Sequence, residues 1–279
     1  MRSVIFLIFY CFFITPVFSN QKVEILVESG HFPPFKFIGK EGGVTGIYPE
    51  IVKAAVSGMP NYSVKFIEQP WSRCKRAVEL GKAFAMLPPY FHADDWLTEK
   101  EPKRPYIWPY SLPLFTQTDI AVCNKAKLGD LKIHPRSIWP DDYVDLSFTL
   151  QKGDGIAGTQ FDQLVEQKKI NVIYTTTNFS TIKFLMLGRA DCTVISKAPY
   201  YWFIKEMKEK GEYNKFDKGI VLTESVVLGT NNGYLGYTDI NAEENYPYKK
   251  DFSIKFDIQI HRMKKSGEIN EIIESFIDQ

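Results

Sequence analysis

The sequence predicts an α/β protein made of two sheet-containing units behind an export signal. Three observations carry that prediction. Residues 1–19 have the layout of a secretory leader. Strand-like alternation and helix-like spacing then take turns along the chain, which is the pattern of parallel sheets covered by helices. Finally, removing 19 of the 279 residues leaves 260, more than a single core usually holds. Length alone leaves one large domain open; the two series of elements favour two units.

The leader reads in three parts. Arg2 precedes an apolar run from Val4 to Phe13, and Val17-Phe18-Ser19 offers a cleavage site before Asn20. A membrane anchor would need about 20 apolar residues, and Thr15-Pro16 interrupts this run well short of that. Cys11 lies inside the apolar run behind Tyr10, where a lipid-attachment signal would want a small residue. The expected product is a soluble exported protein.

In the first unit, alternation at Val23, Ile25 and Val27 predicts a strand, and Ile47, Ile51, Ala54 and Ala55 mark a helical face. Tyr62, Val64 and Phe66 predict a second strand, residues 72–80 a helix, and residues 84–87 a short strand. The second unit begins near Ile120. Strands are expected at 120–123, around Ile156, at 170–174, at 192–195 and around 220–227, with helices from Phe161, at 180–187 and at 200–208. The tail is ambiguous: Phe252, Ile254, Phe256, Ile258 and Ile260 alternate as a strand would, while Phe252, Phe256, Ile260 and Met263 share a helical face. After Gly267, the spacing of Ile269, Ile272, Ile273 and Phe276 is helical.

Charge narrows the function classes. Arg2 is the one charged residue in the leader, so the 34 basic and 33 acidic side chains of the full chain become 33 of each. A neutral balance argues against nucleic acid or an anionic membrane surface as the main partner. Cys74, Cys123 and Cys192 remain, an odd number for an exported chain. Three buried small side chains is the favoured reading; should one bridge form, Cys123 with Cys192 is the expected pair, since both lie in apolar strand-like runs of one half.

Several segments then appear in a telling order: Phe32-Pro33-Pro34-Phe35, Gly43-Val44-Thr45-Gly46-Ile47-Tyr48-Pro49-Glu50-Ile51, Gln69-Pro70-Trp71, Leu80-Gly81-Lys82, Tyr110-Ser111-Leu112-Pro113-Leu114, Gly158-Thr159 and Leu187-Gly188-Arg189-Ala190-Asp191. With these the chain resembles the family 3 extracellular solute-binding proteins, the periplasmic amino-acid-binding type. The resemblance implies a type II periplasmic-binding-protein fold, two α/β lobes joined by a two-segment hinge, with ligand held between them. Lobe 1 would comprise residues 20–113 and 233–279, and lobe 2 residues 114–232. It also implies a helical tail, a periplasmic location, a monomer without cofactor or metal, and an ABC transporter permease or a membrane receptor as partner.

Carried over position by position, the resemblance makes Phe32 the ring packed on the ligand, ahead of the loop residue Phe35, and makes Trp71 a second wall. Trp71 also suits the first buried residue of a helix. The family's polar positions after residues 84–87 fall on Pro89 and Phe91, and its carboxylate-gripping arginine falls on Trp96. Arg104 is a candidate to reach back, or else an exposed structural arginine. In lobe 2 the family's ammonium-binding acid falls on Ser196, which cannot supply charge pairing. Gly158 and Thr159 keep the loop that opens a helix, where free N–H groups suit an oxygen ligand, with Gln160 in place of a second threonine. The amino-acid chemistry therefore looks lost. Phe32, Trp71, Tyr90, Phe91 and Trp96 outline an aromatic cleft, with Tyr200 and Tyr201 as contributors from the far lobe, suited to sugars, flat rings or organic cations. Arg73 is either a handle for an acidic ligand or a solvated helix residue.

The expected function is capture of a small polar or aromatic solute, other than a standard α-amino acid, for an ABC-type transporter. A dehydratase-type enzyme on the same scaffold and a ligand sensor acting through a receptor are the rivals. For an enzyme, Glu50, Asp94 and Asp95 are the candidate acid–base groups, each also explained as a surface carboxylate. His31, His92, His134 and His261 have no ligand-like spacing, and no nucleophile elbow, phosphate loop or Cys-x-x-Cys pair occurs.

Overall fold

The computed structural model describes residues 20–91, 106–130, 132–133, 135–153, 155–216 and 218–277. The leader, His92, Asp94, Asp95, Trp96, Arg104 and His134 lie outside the described residues.

The chain first lays down β1 (Gln21–Glu28), the short strands β2 (Phe37–Ile38) and β3 (Val44–Thr45), α1 (Ile47–Ser57), β4 (Tyr62–Gln69), α2 (Trp71–Glu79), β5 (Ala85–Leu87) and β6 (Ile107–Tyr110). It then crosses over to β7 (Phe115–Asn124), β8 (Ser147–Gln151), α3 (Thr159–Glu166), β9 (Asn171–Thr175), α4 (Asn178–Met186), β10 (Cys192–Ser196), α5 (Lys197–Glu209), α6 (Tyr213–Phe216) and β11 (Leu222–Gly233). It returns through β12 (Gly236–Thr238), α7 (Ala242–Asn245), α8 (Lys249–Ser266) and α9 (Glu268–Phe276). Two five-stranded sheets result, ordered β4-β1-β5-β12-β6 and β11-β7-β10-β8-β9.

Neither sheet is purely parallel, a correction to the expectation from alternation. β1, β4 and β5 run parallel, but β12 is antiparallel to both β5 and β6. In the second sheet β8, β9 and β10 are parallel, while β7 runs antiparallel to β10 and β11. The antiparallel strands are the ones that lead into or out of the crossing. A chain that leaves one sheet and comes back must reverse direction there.

The first core lies under α1, α8 and α9. Ile47, Tyr48, Ile51, Val52, Ala55 and Val56 bury one face of α1, and Phe252, Phe256, Ile260 and Met263 bury one face of α8. The tail is helical because this second set spans a buried stripe, while Ile254 and Ile258 stay exposed at 52% and 44%. Lobe 2 has apolar clusters on both sides of its sheet. Cys192 and Val194 belong to one and Ile195 to the other, as period-two alternation requires.

Two expectations in lobe 2 are corrected. Ile156 sits in a turn, and the missing strand is Ser147–Gln151. Ser147 and Thr149 diluted its apolar signal; Thr149 is fully buried, and its carbonyl accepts a bond of 2.7 Å from Thr193 Oγ1. Cys123 and Cys192 are disulfide-bonded rather than free, facing one another across β7 and β10, and Cys74 is the buried free thiol.

The crossing is a zipped ribbon. Ser111 N donates to Leu235 O at 2.9 Å, Leu114 N to Gly233 O at 2.9 Å, and Leu235 N to Ser111 Oγ at 2.9 Å. Gly233 is required at this point, because a Cβ there would stand 2.0 Å from the hydroxyl of Tyr48 on α1.

Candidate functional site

The loop after β1 is shaped by its contact with α1. Gly46, at φ 121°, caps α1, and a Cβ there would stand 2.6 Å from Phe35 O. Ile47 N donates to Pro34 O at 2.8 Å, so the loop is drawn onto the helix and Phe35 packs on Tyr48 with ring centroids 5.9 Å apart. Lys36 pins the other side. Its ammonium, 6% exposed, donates to Glu28 O at 2.7 Å, to Gly30 O at 2.8 Å and to Glu68. All three of its protons are therefore used internally.

These contacts frame a cavity of about 380 Å³ whose walls come from the carboxyl ends of three parallel strands. Phe32 and His31 follow β1, Trp71 follows β4, and Tyr90 follows β5, with Phe35, Lys36 and Tyr48 beneath. The carboxyl edge is where open α/β sheets take ligands. A larger basin of about 820 Å³ lies between Trp108, Tyr246 and Lys249. It is walled by one lobe alone, and no movement at the crossing would close it.

Lobe 2 meets this opening with its own strand ends. Tyr90 Oη donates to Gln117 Oε1 at 2.9 Å, linking β5's loop to β7. Gln117 Nε2 donates to Ser196 Oγ at 2.9 Å and to Asp119 Oδ1 at 3.3 Å, and Ser196 Oγ donates to the same Asp119 oxygen at 2.6 Å. Tyr90 is a firm neutral donor: burial first, then the Asp119 charge, pushes its phenol up to about 12. Behind this polar join, α5 leans on lobe 1. Ala198 enters the lobe 1 core, Trp202 packs on Phe37 at 5.1 Å and Phe276 at 6.2 Å, and Lys205 Nζ donates to Ser275 O at 3.1 Å.

The residues expected from sequence are distributed unevenly. Phe32, 60% exposed, lines the cavity together with Phe35, Trp71 and Tyr90. Trp71 also packs against the cluster of Leu26, Cys74 and Val78, as the first residue of α2. Ser196 stands across the opening, hydrogen-bonded as described. Phe91, half exposed, packs at a tilt on Tyr110 with centroids 5.3 Å apart, off the cavity wall. Arg73 is exposed on α2 and is not among the lining residues. Tyr200 is buried with Ile120, Ile182 and Leu185, a core ring rather than a cleft wall. Gly158 caps α3, Thr159 and Gln160 are exposed at its start, and Gln160 donates to Asp141 at 2.9 Å. Glu50 accepts from Thr45 Oγ1 at 2.7 Å and from Lys53 at 2.8 Å, which accounts for its carboxylate structurally.

Lys36, Tyr48, Gln117 and Asp119 were not anticipated. Asp119 carried the readable signal. If Cys123 faces Cys192 on antiparallel strands, four residues further along each strand Asp119 must face Ser196, and it does.

No family model matches the chain, and no curated protein matches it in sequence. Solved structures do match over most of its length. An ancestral cationic amino-acid solute-binding protein is 16% identical, covering 92% of this chain and 96% of that one at a TM-score of 0.61. The second substrate-binding domain of GlnP from Lactococcus lactis, in open conformation, is 15% identical over 93% and 97%, at 0.59. The chain has the type II two-lobe periplasmic-binding-protein fold. A histidine kinase sensor domain with similarity to periplasmic binding proteins shares it at 16% identity, over 91% and 95%, at 0.52. In this two-lobe fold the carboxyl strand ends of both sheets confront one another, which is where the aromatic cavity and Asp119 lie. Among the described residues no helix is long and apolar enough to cross a membrane, and no group of His, Cys, Asp and Glu is placed to hold a metal ion.

Proposed function

We propose that this chain is a periplasmic solute-binding protein that takes a small polar or aromatic solute other than a standard α-amino acid between its lobes and presents it to an ABC-type permease. The observation that carries the reading is the aromatic cavity at the carboxyl ends of β1, β4 and β5, bridged to lobe 2 by Tyr90 and Gln117. Lobes meeting over a cavity bury a small solute where polar contacts discriminate strongly, and a partner can tell joined lobes from separated ones. Domain boundaries near 113/114 and 232/233 fit the crossing ribbon, and the leader supports export.

Exclusion of ordinary amino acids rests on the carboxylate end: Lys36, the lining cation, has no proton left for an α-carboxylate. The sensor domain among the structural neighbours makes a membrane receptor the second candidate partner.

A thermal-shift screen of the mature protein against sugars, aromatic acids, amines, peptides and amino acids tests the reading, since a solute bound to the native state raises Tm. A hit from outside the α-amino acids that also changes Trp71 emission is expected. Tight stabilisation by common L-amino acids would overturn the proposed selectivity, and turnover of the bound compound would overturn the binding role.

A further inference from the structure

We infer that the solute of this cleft is an organic cation, an ammonium group on an apolar or aromatic body, held by the open oxygen of Asp119 and faced by the rings of Trp71, Tyr90 and Phe32. The inference rests on the binding role proposed above and names its ligand class.

Three independent features converge on it. The first is an unused acceptor. Asp119 Oδ1 takes hydrogen bonds from Ser196 and Gln117, while Oδ2 accepts none from the described residues. Ser196 and Gln117 thus fix the carboxylate's orientation and leave one oxygen for a donor from outside; Asp119 is not itself a wall residue but adjoins the cavity through Gln117, which bonds the lining Tyr90. The second is the sign of the local charge. Glu28 lines the cavity, Lys36 beside it is matched by Glu68, and Lys197, next to Ser196 in lobe 2, is drawn to Glu224 at 3.2 Å. Among the described residues Glu28 and Asp119 therefore remain as net negative charge beside the cavity, a field that attracts a cation and disfavours an anion. The third is the wall. Aromatic faces attract a cation placed above them, and the attraction grows as the site loses water. A carboxylate on one side and rings on the other suit an ammonium that hydrogen-bonds and a body that stacks.

The test is titration calorimetry of the mature protein with benzylammonium, phenethylammonium and cyclohexylammonium, against benzyl alcohol and benzoate as neutral and anionic counterparts. The cations are expected to bind, their counterparts about tenfold or more weakly, the scale of one lost charge-assisted hydrogen bond. Asp119→Asn is expected to lose the preference, while Asp119→Glu retains part of it. The native melting of each variant shows whether it is folded. If Asp119→Asn does not fold, the wild-type ranking of the five probes decides. Equal or stronger binding of benzyl alcohol or benzoate, or cation binding unchanged in folded Asp119→Asn, overturns the cation inference and leaves the cleft reading standing. Absence of binding by every probe overturns the cation inference, while the cleft reading falls only if the wider thermal-shift screen also finds no solute.

Discussion

Replacing Tyr90 by phenylalanine is expected to loosen the join between the lobes while keeping the ring that walls the cavity. The bond removed is a single neutral one, Tyr90 Oη to Gln117 Oε1 at 2.9 Å. Such a bond contributes about 0.5–1.5 kcal/mol net, and leaving Gln117's carbonyl facing a phenyl ring places this case near the middle of that range. About 1 kcal/mol corresponds to a fivefold shift, roughly, from joined to separated lobes. Because Gln117 also bonds Ser196 and Asp119, Gln117→Ala alone would mix several effects. A cycle of Tyr90→Phe, Gln117→Ala and the double variant isolates the shared contact. Spin labels on α8 and α4, one per lobe, report the distance distribution in each protein. A coupling of about 1 kcal/mol is expected; additivity within about 0.3 kcal/mol, with unchanged distances, would refute the claim that this hydrogen bond joins the lobes.

Four further predictions concern stability and thiol reactivity. Tyr90, Tyr200 and Tyr248 are pushed up to about 12, burial being the largest cause, so the fold prefers their protonated form. The stability they contribute is complete below the ordinary value of 10 and is lost as pH rises toward 12; calorimetry should show Tm level near neutrality and falling on that alkaline limb, and a Tm unchanged there would contradict it. The Cys123–Cys192 bridge spans a sequence separation of 69, for which chain entropy gives about 4 kcal/mol. Cys123→Ser with Cys192→Ser should lower the denaturant midpoint accordingly, whereas alkylation of both cysteines in native unreduced protein would show there is no bridge. Cys74 should resist alkylation until the protein unfolds, because burial raises its thiol to about 11. Gly233→Ala should cost about 1–3 kcal/mol by overpacking, since its Cβ would meet Tyr48 Oη at 2.0 Å; wild-type stability in that variant would mean the crossing does not press on α1.

The parts of the fold that could be read in the sequence are those where one physical signal dominates. Helix α1 declared itself because Ile47, Ile51 and Ala55 repeat at helical spacing on a face that is buried. The strand Ser147–Gln151 stayed hidden because its buried positions include Thr149, which a hydropathy pattern counts as polar. Alternation identified strands but not their direction, which depends on the crossing between sheets and not on local preference. In the site, Phe32, Trp71 and Tyr90 were legible through a resemblance that fixed their place after strand ends. Tyr200 was misplaced because an aromatic at the start of a helix can face either the cleft or the core, and here it joins Ile120 and Leu185. Lys36 and Asp119 were missed because their significance is relational: one is defined by the three acceptors it meets, the other by the strand register that sets it opposite Ser196.

The most direct measurement of the central claim is a crystal structure of the mature protein with a solute found by the screen. The solute is expected between Trp71 and Tyr90 on one lobe and Asp119 on the other, with the lobes joined across it. A solute seated instead in the basin beside Trp108 and Tyr246, or lobes that keep one spacing with and without it, would contradict the account.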